Sequence, residues 1–143
     1  IKGNNTGSLG GGLSISADGG GTITVSNNKI IGNHATIGGG IYASTSNTSS
    51  LTIENNILHN NSISGSWNSV PANGAALSLT DNTSNLLVTG NSMTGHAGSA
   101  LIMITCSEFY WTCQSEANSN VATINNNNMI NNSTDYIFYN FHE

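Results

Sequence analysis

The side chains able to do acid, base or metal chemistry are few, and their spacing argues against each kind. Four histidines, His34, His59, His96 and His142, never form an i, i+2 or i, i+4 pair that could grip one metal ion, so they read as solvated turn residues. Seven carboxylates (Asp18, Asp81, Asp135, Glu54, Glu108, Glu116 and Glu143) share no common position in any repeating pattern. Lyases of acidic polysaccharides need a strong base and a carboxylate cluster for calcium, but the chain has no Arg and only Lys2 and Lys29 as cations. Glycoside hydrolases need two converging carboxylates. Asp18 and Asp81 both fall in the turn expected after a first strand, but at about 10 Å they are too far apart for a retaining pair and marginal for an inverting one. A formal net charge of -5 leaves phosphates nothing to bind. The expectation is no catalysis, no cofactor, no metal and no nucleic-acid partner.

Cys106 and Cys113 bracket CSEFYWTC. A disulfide between them would close a small ring and contribute about 2 kcal/mol; the alternative is two free thiols in a reducing compartment. Asn-x-Ser/Thr acceptors stand at Asn4, Asn47, Asn60, Asn82, Asn131 and Asn132, which favours the disulfide and an extracellular or cell-surface location. Asn47 and Asn82 each fall in a turn, whereas Asn132 shares a column with other asparagines. No signal peptide is present, so Ile1 is read as a processed terminus or a cut. No apolar run approaches the roughly 18 residues of a membrane helix.

What must position these residues is a repeat. LTIENNILHNNS from Leu51 aligns without a gap on TITVSNNKIIGNHA from Thr22, LLVTGNSMTGHA from Leu86 and ATINNNNMINNS from Ala122. A β-branched column (Val25, Ile53, Val88, Ile124) is followed at +3 by Asn28, Asn56, Asn91 and Asn127. The +5 column is Ile30, Leu58, Met93 and Met129, and the +8 column is Asn33, Asn61, His96 and Asn132. A second motif precedes each copy: GGGLSI at Gly10, GGGIYA at Gly38, GAALSL at Gly74 and GSALIM at Gly98. The steps from Val25 through its equivalents are 28, 35 and 36 residues, so constant strands alternate with loops of unequal length.

Only 6% of residues are charged, and no 3.6-residue period occurs, so the chain reads as β-strand and turn throughout. If coils stack roughly 4.8 Å apart, equivalent asparagines lie above one another, satisfy each other's amides and tolerate the left-handed backbone of a sharp corner. His96 then reads as a substituted rung.

The pairing of GGGI with a β-branched-x-x-Asn about a dozen residues later, clearest in Gly38–Ile41 with Ile53–Asn56 and Gly10–Leu13 with Val25–Asn28, resembles the GGAI and FxxN repeats of chlamydial polymorphic outer-membrane proteins and autotransporter passengers. Val or Ile replaces the Phe of that motif in every copy. The resemblance implies a secreted or surface-displayed right-handed β-helix used in adhesion or scaffolding, with no catalytic residues to carry over.

The fold expected is all-β: one domain over residues 1–143, a right-handed parallel β-helix (β-solenoid) of about four full coils, with Asn ladders, no evident caps and loop insertions at 62–73 and 104–120. Trp67 and Trp111 lie in those insertions and could stack on a glycan or cell-surface ligand, or pack back on the solenoid. Thr24, Thr52, Leu87 and Thr123 form only a broken threonine ladder, which disfavours an ice-binding face. Ile1 matches the phase of Ile30 or its neighbour, and Ile137, Tyr139 and Phe141 continue an apolar alternation. The expectation is that these residues join head to tail with another copy in an extracellular filament, the alternative being an excised piece of a longer adhesin.

Overall fold

A computed structural model describes residues 1–45, 49–64, 74–81, 85–105 and 121–141. Cys106, Cys113, Trp67, Trp111, Asn47, Asn82 and His142 lie outside the described residues. The chain before the first strand is held by isolated bridges. The strands then follow in chain order: β1 (Leu13–Ala17), β2 (Thr22–Ser26), β3 (Lys29–Ile31), β4 (His34–Ala35), β5 (Ile41–Thr45), β6 (Ser50–Glu54), β7 (Ile57–His59) and β8 (Ser62–Ile63). They continue as β9 (Gly74–Asp81), β10 (Asn85–Thr89), β11 (Ser92–Thr94), β12 (Ala97–Thr105), β13 (Val121–Asn125), β14 (Asn128–Ile130) and β15 (Ser133–Phe141).

All pairings between these strands are parallel, and they form three sheets wound around one core. The first sheet stacks β2, β6, β10 and β13, with Val25, Ile53, Val88 and Ile124 in register. The second stacks β3, β7, β11 and β14, with Ile30, Leu58, Met93 and Met129 in register. β1, β5, β9 and part of β12 make the third, which β4 and β8 extend and on which β15 lies. Bridges Lys2↔Ile31, Asn5↔His34 and Leu9↔Ile37 add a rung before the first full coil, and they set Ile1 beside Ile30.

Alternation explains the core. β6 and β10, in the middle of the first sheet, each send two apolar side chains inward, and Leu51, Ile53, Leu86 and Val88 are at most 2% exposed. Covering each such side chain contributes about 1.5–3 kcal/mol, which a fold with so few charges must draw on heavily. Glycine is needed where the third sheet bends: a Cβ on Gly40 would lie 2.5 Å from the Ala76 carbonyl oxygen and 3.1 Å from Leu58 Cδ2. Only backbone fits there, which accounts for the GGG runs before β1 and β5.

Several expectations need correction. The 62–73 insertion starts later, because Ser62 and Ile63 pair with β4 as β8, and the 104–120 insertion starts later because Ile104 and Thr105 finish β12. In the frame of the glycine-led motif Leu101 should stand beside Leu77. Instead Ile102 does, and the register shifts between Ala100 and Ile102. Ala75 and Ala76 of β9 thus stand opposite Leu101 alone, and because Ala75 to Leu79 and Ala100 to Ile104 are all buried, alternation is lost and periodicity gave no sign of the shift. Asp81 ends β9 in register with Thr45 and Ala17, one residue out of phase with Asp18, so the two do not share a turn position. His34 and His59 are half-buried strand residues rather than solvated turn residues, and His96 is fully buried.

Candidate functional site

The polar chemistry of the interior is concentrated at two corners. At the first, between the first and second sheets, Asn28 donates its backbone N–H (2.9 Å) and Nδ2–H (3.2 Å) to Asn56 Oδ1. Asn56 does the same to Asn91 Oδ1 at 2.9 and 3.0 Å, and Asn91 to Asn127 Oδ1 at 2.9 and 3.0 Å. The second amide hydrogen reaches backbone carbonyls: Asn56 Nδ2 donates to Val25 O (2.8 Å), Asn91 Nδ2 to Ile53 O (2.9 Å) and Asn127 Nδ2 to Val88 O (2.9 Å). A buried amide has two donors and two acceptor lone pairs, and this geometry employs them while tying three successive coils at one residue.

At the second corner, between the second and third sheets, the column starts one coil earlier. Asn4 donates its N–H and Nδ2–H to Asn33 Oδ1, both at 3.0 Å, and Asn33 donates likewise to Asn61 Oδ1 at 3.0 Å. Asn61 Nδ2 donates to Ile30 O (2.9 Å). The next rung is His96, fully buried, with Nε2 3.1 Å from Leu58 O and Nδ1 3.1 Å from Asn61 O. Nε2 takes the place of the asparagine Nδ2, but an imidazole carries no oxygen to receive from the coil below. The column resumes as His96 N–H donates to Asn132 Oδ1 (2.9 Å) and Asn132 Nδ2 to Met93 O (3.0 Å). Burial holds the His96 imidazole below the ordinary histidine value of 6.5; nearby His59 acts in the same sense, and the two carbonyls oppose it.

The ladder residues do not themselves make the bend. Positive φ belongs to the residue before each: Asn27 (59°), Asn55 (55°), Gly90 (65°) and Asn126 (54°) at the first corner, and Gly3 (69°), Gly32 (62°), Asn60 (51°), Gly95 (70°) and Asn131 (55°) at the second. Work expected of one residue is thus divided between two. The signal lay in the alternation of Asn and Gly in that preceding column, the two types that most readily adopt left-handed backbone.

Other singled-out residues are placed as follows. Asn60 and Asn131 are exposed on the second corner, whereas the amides of Asn4 and Asn132 are engaged in its ladder. Ile1 is 50% exposed and Ile137 62% exposed, at opposite ends of the stack. Tyr139 and Phe141 pair with Met103 and Thr105 through the backbone of β15, and their side chains are outside the description. His34 places Nδ1 and Nε2 each 2.8 Å from a hydroxyl, Ser62 Oγ and Ser64 Oγ, and His59 Nδ1 lies 2.9 Å from Thr94 Oγ1. Both His34 nitrogens are thus taken by hydroxyls. Among the described residues no group of three or more His, Cys, Asp or Glu is arranged to hold a metal ion, and no helix is long and apolar enough to cross a membrane.

Parallel coils, a single core and stacked corner amides are the marks of one architecture, and a family model described as a right handed beta helix region matches residues 1–114. The chain belongs to that family. No curated protein and no solved structure matches it. A right-handed β-helix of this kind is a repeat scaffold, and its buried asparagines, with His96, hold one coil to the next.

Proposed function

We propose that this β-helix is a structural, non-catalytic element of an extracellular or cell-surface protein, and that it assembles by stacking end to end with another copy to form a filament. The observation that carries the reading is the contrast between inner and outer coils. Leu58 and Met93 are wholly covered, but Met129 and Ile124 of the last coil are only partly buried, and Tyr136 and Ile137 beyond them are 49% and 62% exposed. An apolar coil surface of this shape is completed by another parallel coil in register, whether of a second copy or of a longer chain of which these coils are a segment, and such a coil brings main-chain hydrogen bonds as well as covered area. A heterologous contact of that kind does not close on itself. The GGAI- and FxxN-like repeats support a location outside the cell, and the resemblance to surface adhesins makes glycan or host-surface binding the alternative.

Electron microscopy and light scattering of the purified chain test this. Filaments are expected for the wild type and single particles for Ile137→Glu, or for a charge placed at Tyr139 or Phe141. Wild-type protein that stays monomeric at high concentration would overturn the proposal.

A further inference from the structure

His96 is the one titratable side chain buried among the described residues. Its ring sits between two backbone carbonyls, Asn61 O and Leu58 O, each 3.1 Å from a nitrogen. A neutral imidazole has a single N–H, so it can serve one of these oxygens while the other faces a nitrogen lone pair. With Nε2 donating to Leu58 O, the Nδ1 lone pair opposes Asn61 O. An imidazolium would donate to both, but it would carry a full charge into a site without solvent contact. One added hydrogen bond between neutral and charged groups does not offset the hydration lost by an unpaired buried cation.

No neighbouring group relieves that cost. Of the described elements packed around the ring, β7 brings His59, whose own charge would repel it, and β15 brings Asp135, which is exposed. β8, β11, β12 and β14 bring no charged or titratable side chain, and His34 on β4 is turned to Ser62 and Ser64.

We propose that His96 makes the second corner an acid-sensitive joint: when its imidazole takes up a proton from solvent, the coil bearing β11 loosens from the coil bearing β7. The rung at the same height on the first corner, Asn91, has nothing to titrate, so acid acts on one side of the stack and leaves the other intact. This holds for the isolated chain and does not depend on filament formation.

Urea unfolding of wild type and His96→Asn between pH 8 and pH 5 tests it. The sign follows from a folded-state ring that resists protonation: stability is fully present above the unfolded histidine value of about 6.5 and falls as pH drops below it. The wild-type folding constant should therefore drop relative to the variant by up to about tenfold per pH unit below that value. Parallel profiles, or a wild type that gains on acidification, overturn the proposal. If His96→Asn does not fold, the NMR titration of the His96 ring in the folded wild type decides. A ring that stays neutral below the free-histidine range supports the joint, and one that titrates at or above that range refutes it.

Discussion

The two corners of this β-helix do the same mechanical work with unequal parts. The first runs Asn28, Asn56, Asn91, Asn127 with every rung an amide, each coil donating two hydrogen bonds to the side-chain oxygen of the next. The second runs Asn4, Asn33, Asn61, His96, Asn132, and its chain of side-chain acceptors stops where the imidazole stands. Both corners bend through a left-handed residue, and both face a full apolar core. The ladder asparagine is therefore not the residue that turns the chain. Its contribution is a donor and an acceptor on one short side chain, which links a coil both upward and downward, whereas histidine offers only nitrogens.

Breaking the unbroken column should have the largest effect. Asn91→Ala removes the acceptor used twice by Asn56 and the donor used by Ile53 O, Thr89 O and Asn127 Oδ1. With buried partners left unmatched, a loss of about 3–4 kcal/mol is expected, read as a lower urea midpoint at unchanged slope. Asn91→His transplants the interruption into the first corner. It should cost less, about 2 kcal/mol near pH 8, because one ring N–H can still reach Ile53 O. That variant should also acquire the acid sensitivity assigned to His96, its extra loss starting as pH falls through about 6.5 and absent above it. Asn4→Ala should matter least: Asn4 is exposed, and the substitution removes only the Nδ2–H donor while the backbone N–H of residue 4 still serves Asn33 Oδ1, so under about 1 kcal/mol is expected by the same measurement.

The part of the fold legible in the sequence was the part that repeats. Val25, Ile53, Val88 and Ile124 share one phase with the Asn column three residues later, and parallel coils keep that phase because a one-residue slip would turn every core side chain outward. Where one strand is buried on both faces the constraint disappears. Ala100 to Ile104 offer no alternation, so the register shift that sets Ala75 and Ala76 opposite Leu101 alone was invisible. The role of His96 was legible as a substituted rung, because its column was intact around it. Its burial and its two carbonyl neighbours were not, since they depend on which coil lies beneath it. Asn4 carried two readings in the sequence, a glycosylation acceptor and, since IKGN from Ile1 aligns with IIGN from Ile30, a rung in phase with Asn33, and its contact with Asn33 Oδ1 shows the second.

The ladder has a direction. In the side-chain to side-chain links, Asn28, Asn56 and Asn91 each donate an amide N–H toward the C-terminal neighbour, and Asn56, Asn91 and Asn127 each present Oδ1 toward the N-terminal one. The column is a vector, with hydrogens leading and oxygens trailing. Two stacks meeting nose to nose would set donor against donor, and two meeting tail to tail would set acceptor against acceptor. Only the nose-to-tail encounter continues the amide chain across the junction. Any polymer of these coils would therefore be polar along its length, with two chemically different tips, and subunits added at one tip would meet a surface unlike that at the other.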